Sequence, residues 1–598
     1  MLQKTGFYVK DHGGVPTLFH DGAPFPAAAY MTYLEEYGCY ADFARAGYRL
    51  FSFPALFAGK WISATEGLTP FGKGIFDGET PDFSGFDASV SHLLSVCPEA
   101  YLFPRVNLSM PDRWLSSHPT ELDGAGRRES LFSEAWLNAA EEMLRALIRH
   151  VNAAPWRERI AGYHLAGGNT EEWFHFDLNG GLSDAAERGF KAFLERRYPD
   201  TPFTGLPELS LLDTPGPCHG SDVLSKYLEF ANTAVAQAVA RLARAAKNEA
   251  GEGVLVGAFY GYALEVSSPL WGSHALQTLL ECDAVDFICS PCSYIGVRDP
   301  DADWTEMYAA DSVRLHGKLC LQECDIRTHL TKPLGDRAPE YDPHGILEAP
   351  VWHGLKNRKT AVSMLRKVFG RQLVKGNGFW WFDMWGGWYA DPVLMAQMKR
   401  FVEIFVSSLR DPYRGSVAEV AVFSDESVFR YMTACGRRNT AHEQRKALGH
   451  MGAPYDIFDI YDFDAVFRRY RAAVFLPGID TPAVSAAKKS CEASGVPYLS
   501  CADRDTLFTA QELSAFCENS GVFLYAAPGD IVYVNAGSIA VYAVSGGEKT
   551  LCFPEPAVLS DLLDPAPPLT GERVSFAMLK GETRLFRRES LRIGRGSG

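Results

Sequence analysis

Over roughly the first 410 positions, short uninterrupted apolar runs alternate with stretches in which apolar residues recur every three or four positions. PFPAAAYMTY, YRLFSFPALF, AYLFPRVNL and RIAGYHLAGG are four such runs; GVLVGAFYGY, AVDFICSPCSY, KLCLQE and GNGFWWFDMW are four more. Each is too short for a helix and is bounded by turn residues, so each predicts a buried strand. Between strands three and four, the stretch from Ser133 to Val151 carries Trp136, Ala140, Met143, Leu147 and Val151 at helical spacing. Asp222 to Asn248 predicts a long amphipathic helix. Ahead of everything, FYVKDHGGVPTLFHDG predicts a β-hairpin with a Gly-rich turn. Eight strands alternating with helices predict a (β/α)8 TIM barrel with extra loop material.

The pattern changes after DPYRG, near residue 411. VAEVAVFSD, PYDIFDIYD, RAAVFLPG and GVPYLSC are short apolar strands with helical stretches such as AAKKSCEASG between them, which predicts a small parallel α/β domain of flavodoxin-like type. From Gly521 the runs GVFLYAAPGD, IVYVNAGSIAVYAVSG, EKTLCFP and ERVSFAMLK predict a small antiparallel β-domain. The expected organisation is therefore a barrel with its hairpin over 1–412, an α/β domain over 413–520 and a β-domain over 521–598.

Composition narrows the function. The 598 residues are 47% apolar and 22% charged, enough for a large core and more than one domain. The net charge of −15 is spread along the chain without a basic patch, so nucleic-acid binding has no electrostatic support and a small-molecule substrate fits better. No apolar stretch is long enough to span a bilayer and the start has no signal-like h-region, so a soluble cytoplasmic protein is expected. Thirteen cysteines without framework spacing suit reduced thiols. Cys289 and Cys292, with Cys320 and Cys324 one strand later, leave a metal cluster conceivable, but Cys289 and Cys320 lie inside apolar runs where cysteine serves as a small core residue.

Carboxylates stand at the ends of strands four and seven. Glu171 and Glu172 follow the fourth run in YHLAGGNTEEWFHF, and Glu323 follows the seventh in KLCLQECDIRTHL. A barrel presents the C-terminal ends of its strands at one mouth, and cleavage of a glycosidic bond needs one acid to protonate the leaving oxygen and one carboxylate to attack. Glu323 is expected to be the nucleophile. On an extended strand end only one of Glu171 and Glu172 would face the substrate. Glu172 is the expected acid/base, because an aromatic follows it and could raise its pKa by desolvation. Asp325 and Arg327, close behind Glu323, would help keep a carboxylate ionised; their plain alternative is a loop salt bridge.

Asn169, Glu172 and Trp173 after strand four, with Glu323 after strand seven, resemble glycoside hydrolase clan A. The order of barrel, flavodoxin-like domain and small β-domain is further similar to the family-42 β-galactosidases and a related group of β-mannosidases. The resemblance implies a retaining exo-β-glycosidase without a cofactor, acting on small carbohydrates and assembled as a homo-oligomer, a trimer first, through the middle domain. It also implies that Tyr294, after strand six, hydrogen-bonds the nucleophile. Here the Asn-Glu dipeptide of the clan is Asn-Thr-Glu-Glu, and the cysteine cluster of some family-42 members has no counterpart at matching positions.

Sugar recognition asks for aromatic faces and polar forks. Trp381, Trp385 and Trp388 are expected to form a platform after strand eight, with Trp380 and Phe382 as barrel packing. Arg105, at the end of strand three, could hold a hydroxyl or a catalytic carboxylate. His164 and His175 read as structural donors. The chain has no GxSxG, HExxH or GxxxxGK[ST] motif, so esterase, zincin and P-loop chemistry lack their usual signals. A β-galactoside is the first expectation and a β-mannoside the second. A catalytically silent sugar-binding barrel or scaffold is the alternative of another class.

Overall fold

A computed structural model describes residues 5–59, 73–175, 182–210, 222–266, 268–342, 352–431 and 440–590. The eight barrel strands are Ala28–Met31, Leu50–Phe51 with Pro54–Leu56, Tyr101–Leu102 with Arg105–Asn107, Gly162–Ala166, Leu255–Phe259, Phe287–Pro291, Leu319–Cys324 and Gly378–Phe382. All pair in parallel, and strand eight returns to strand one, with Trp380 opposite Ala29. Strands two and three are each interrupted beside a proline, Pro54 and Pro104, which cannot donate to the ladder. Hydrogen bonds from Phe103 N to Phe51 O at 2.8 Å and from Arg105 N to Phe53 O at 2.9 Å carry the pairing across both breaks.

Helices cover the outside. The helix predicted from Ser133 runs over Glu134–Ala153, with the Ser133 side chain accepting the Trp136 N–H as its N-cap. Its core face uses Leu144 and Ile148 in place of Met143. The long helix spans Asp222–Ala250. At the base of the barrel, Phe7–Asp11 pairs antiparallel with Pro16–His20. Phe7 N bonds Gly253 O at 2.7 Å and its ring packs edge-on against Tyr101 at 4.9 Å. The hairpin thus plugs the end opposite the catalytic mouth.

Beyond the barrel, four parallel strands in the order Tyr455–Asp459, Val420–Ser424, Ala472–Phe475, Tyr498–Ser500 form the flavodoxin-like sheet. The C-terminal sheet is antiparallel, made from Ile531–Val534, Ser538–Tyr542, Gly547–Asp561, Leu569–Met578 and Thr583–Ser590. The stretch GVFLYAAPGD is not its first strand. Punctuated by Gly521, Pro528 and Gly529, it forms a loop whose Tyr525 N bonds Gly452 O at 2.9 Å. No helix among the described residues is long and apolar enough to cross a membrane.

Candidate active site

Arg105 organises the mouth. It begins the second half of strand three, and its side chain is almost fully buried among rings, with Cζ 4.8 Å from the Phe382 ring centre and 4.9 Å from that of Phe259. One guanidinium nitrogen, Nη2, donates to Glu323 Oε2 at 2.8 Å; the other, Nη1, donates to Glu171 Oε2 at 3.3 Å. Glu171 also accepts from Asn107 Nδ2 at 3.3 Å and from the Tyr33 hydroxyl. Asn107 stands two residues after Arg105, on the same face of the strand. Strands three, four and seven therefore converge on one charged cluster.

Glu171 and Glu172 do not sit on an extended strand end. After Ala166 the chain folds back on itself: Trp173 N bonds Gly167 O at 2.8 Å, and Asn169 N bonds Phe174 O at 2.9 Å. Three non-glycine residues, Thr170, Glu171 and Trp173, take positive φ of 55°, 67° and 62°. Such conformations cost energy and persist where surrounding structure over-determines them. Gly168, with φ of 66°, makes the fold possible, since a Cβ there would lie 2.7 Å from Phe174 O. Asn169 holds the loop, its amide nitrogen reaching Phe174 O and its oxygen facing Arg128 at 3.5 Å.

Glu172 faces a different environment from Glu171. Its Oε2 is 2.7 Å from the Thr170 hydroxyl, and the Tyr262 phenol, just past strand five, lies within interaction range of both Glu172 and Glu323. Burial pushes Glu172 up to about 7, against smaller downward pulls from Thr170 and Tyr262. The expected source of this shift was the following aromatic. Instead Trp173 turns away, with its Nε1 bonded to Leu165 O at 3.1 Å and its ring 6.3 Å from Trp136. Thr170 Oγ1 is also 2.7 Å from Asn169 O, which can only accept. The Thr170 hydroxyl is therefore shared between Asn169 O and Glu172 Oε2.

Burial also raises Glu323, with Arg105 opposing and the charges of Asp325 and Glu172 adding to the rise. Two enclosed carboxyls that feel one another titrate as a pair. Burial lifts Glu323 further than Glu172, to about 8; what sets Glu323 apart is its direct contact with Arg105, which favours its ionised form.

The remaining expected residues divide. Asp325 is fully buried and paired with Arg298 and, at 2.6 Å, with Arg327. Burial alone would raise its pKa, but the two guanidinium groups and the Tyr294 hydroxyl outweigh burial and hold it below its ordinary value. Tyr294 donates to Asp325 Oδ2 at 2.5 Å, and both Tyr294 and Tyr262 feel the charge of Glu323. Trp385 neighbours Tyr33 at 6.5 Å and Trp352 at 5.7 Å, and Trp388 lies against the Arg327 guanidinium at 5.2 Å. Trp381 is not at the mouth. It points out of the barrel, its indole N–H donating to the Tyr48 hydroxyl at 2.9 Å and its ring stacked on Phe401. Period-two alternation explains this, because Trp380 and Phe382 face inward toward Arg105 and Trp381 must face the helices.

Beside Tyr33 a cleft of about 360 Å³ opens, lined also by Glu35, Pro54, Leu56 and Ile75. His164 is buried between Phe259 and Trp380 under Arg105, and burial drives it toward the neutral form. His175 is buried beside Phe132. Cys289, Cys292, Cys320 and Cys324 are buried free thiols, and no group of three or more His, Cys, Asp or Glu side chains among the described residues is arranged to hold a metal.

Tyr33, Asn107, Thr170, Tyr262 and Arg298 were not singled out by sequence reasoning. Asn107 could have been found from its same-face spacing to Arg105, and Tyr33 and Tyr262 from their places just past strands one and five.

No protein-family model matches the chain, and no curated protein matches it by sequence. Solved structures do. A β-galactosidase from Bacillus circulans sp. alkalophilus superposes with a TM-score of 0.63 at 12% identity, covering 95% of this chain and 99% of its own. A GH42 β-galactosidase from G. stearothermophilus gives 0.60 at 11%, with 94% and 98% covered. A GH42 exo-carrageenase from Bacteroides ovatus gives 0.56 at 11%, with 98% and 86% covered. At these identities the likeness defines a fold. The chain has the clan A architecture of family-42 glycoside hydrolases: barrel, flavodoxin-like module and terminal β-sheet.

Proposed function

We propose that the protein is a retaining exo-β-glycosidase in which Glu172 is the acid/base and Glu323 the nucleophile. The observation that carries this reading is the unequal treatment of carboxyls in one mouth. Arg105 grips Glu323 at 2.8 Å, while Glu172 is raised to about 7 by burial and meets no guanidinium hydrogen bond. A general acid must be protonated and a nucleophile ionised at the same pH; burial raises both carboxyls, and the Arg105 hydrogen bond favours the ionised form of Glu323. Glu171, tied to Arg105, Asn107 and Tyr33, positions Arg105.

In the first step Glu323 attacks the anomeric carbon as Glu172 protonates the departing oxygen, forming a glycosyl-enzyme. Glu172, now a carboxylate, then takes a proton from water, which releases the sugar with its β configuration retained. Tyr262, beside both carboxylates, is placed to steady the charge that moves between them. Trp385 and Trp388 would supply aromatic faces for the sugar.

A β-D-galactoside is the favoured substrate because the structural neighbours include β-galactosidases. The flavodoxin-like module is read as the assembly unit of a trimer, which light scattering would report as a mass of three 66.0 kDa chains. The deciding experiment is a panel of nitrophenyl glycosides. Turnover of a β-glycoside that Glu323→Gln abolishes is expected; sugar binding without turnover would make the barrel a silent receptor.

A further inference from the structure

Arg327 is the cation in the mouth whose hydrogen bonds are least accounted for. Its Nη1 is committed to Asp325, donating to both the main-chain oxygen and Oδ2 at 2.6 Å. The opposite edge, formed by Nε and Nη2, is buried and has no hydrogen-bond partner among the described residues, in a side chain only 6% exposed. Buried donors are nearly always paired, and a charged pair of donors more so than most, so an unpaired edge calls for a partner. Two rings lie against the guanidinium, Trp352 at 4.9 Å and Trp388 at 5.2 Å.

Arg327 adjoins the mouth. Trp352 contacts Trp385 at 5.7 Å, Trp385 contacts Tyr33 at 6.5 Å, and Tyr33 bonds Glu171, so a continuous aromatic wall joins Arg327 to the carboxylates. Asp325 lies within electrostatic reach of both Glu172 and Glu323. The charges are also unevenly placed. Around Arg105 stand two paired carboxylates, Glu171 and Glu323, whereas around Asp325 stand two guanidinium groups, Arg298 and Arg327. One side of the site carries an excess of negative charge and the other an excess of positive charge. Nε–H and Nη2–H are parallel donors whose spacing matches two oxygens of one anion.

We infer that the sugar taken by this site carries a negatively charged group, a carboxylate or a sulfate ester, that docks on the Nε and Nη2 edge of Arg327. This rests on the glycosidase reading and gives it a substrate class, an anionic β-glycoside. Vicinal hydroxyls of a neutral pyranose could accept from the same donors, but without the charge assistance that a carboxylate or sulfate supplies to a buried guanidinium.

The test compares nitrophenyl β-D-galactoside and β-D-glucoside with their 6-carboxylate (uronide) and 6-sulfate counterparts. At least one anionic substrate is expected to exceed its neutral parent in kcat/KM by about tenfold or more; which arm responds separates carboxylate from sulfate. In Arg327→Met that ratio should collapse toward one, and Arg327→Lys, which keeps the charge without the fork, should fall between. The ratio is internal to each variant, so partial loss of fold does not imitate it. Neutral glycosides turned over as well as every anionic counterpart by the wild-type enzyme would overturn the inference. If no glycoside is turned over, calorimetry with free galacturonate, glucuronate and galactose 6-sulfate separates the two ideas. Binding of an anionic over the neutral sugar would keep the Arg327 site while the glycosidase reading fails, and equal or absent binding would remove both.

Discussion

Arg105 Nη2 lies 2.8 Å from Glu323 Oε2 inside a buried ring of Tyr33, Phe259, Trp380 and Phe382. A buried carboxylate can stay ionised only with such a partner, and removing one member of a buried pair costs about 3–5 kcal/mol. Arg105→Met is therefore expected to lower both stability and kcat/KM, the latter by more than about 100-fold. The remaining activity should show its acidic limb moved to higher pH, because Glu323 without Arg105 holds its proton longer. Urea unfolding and a pH–rate profile check the two parts separately.

Glu172, raised to about 7, must be protonated for the first chemical step. As pH rises through 7 that proton leaves and kcat/KM on a substrate with a poor leaving group should fall. In Glu172→Gln, assayed on a dinitrophenyl glycoside that needs no protonation, the alkaline limb should vanish. A limb that stays would assign it to another group.

The adjacent glutamates are separated by chemical rescue. Glu172→Ala is expected to lose about 10²–10⁴ in rate and to regain activity in azide with formation of a β-glycosyl azide. Glu171→Gln should also be impaired, through Arg105 and Tyr33, but azide should not restore it. Rescue of the Glu171 variant alone would exchange the two roles.

Trp381→Phe tests the outward placement of that ring. The lost bond to Tyr48 and the smaller ring should cost about 1–3 kcal/mol of stability and leave KM for glycosides unchanged. Trp388→Phe, beside Arg327, should raise KM.

Glu426, in the flavodoxin-like module, accepts the Leu276 N–H of the barrel at 2.7 Å and is raised by burial to about 8 from an ordinary 4.5. Its folded form holds a proton that the unfolded chain releases, so its contribution is full below about 4.5 and is lost as pH rises through 8. Glu426→Gln keeps an acceptor for Leu276 and should flatten the fall of Tm between about pH 4.5 and 8. An unchanged slope would assign the pH dependence elsewhere.

Much of the barrel was legible because its signal is repetitive: eight apolar runs, each flanked by turn residues, and helices with one apolar face. The carboxylates were legible because their sequence position, just past strand runs, coincides with the mouth. What escaped depended on local backbone geometry. Glu171 and Glu172 looked like alternating residues of a strand, but left-handed Thr170, Glu171 and Trp173 send them to different partners. Trp381 was misplaced although the alternation with Trp380 and Phe382 already set its direction. Tyr294 donates to Asp325 where the nucleophile was expected, because loop length, invisible in a single sequence, decides which carboxylate a phenol reaches. GVFLYAAPGD had strand-like composition, yet its glycines and proline made it a loop.

The most direct test of the double-displacement account is to trap the intermediate. A panel of 2-deoxy-2-fluoro β-glycosides with good leaving groups, neutral and anionic, should inactivate the enzyme in a time-dependent way. Peptide mapping by mass spectrometry should then place one fluorosugar on Glu323. A label on Glu171 or Glu172, or turnover of the parent glycoside with an inverted first product and no adduct, would contradict it.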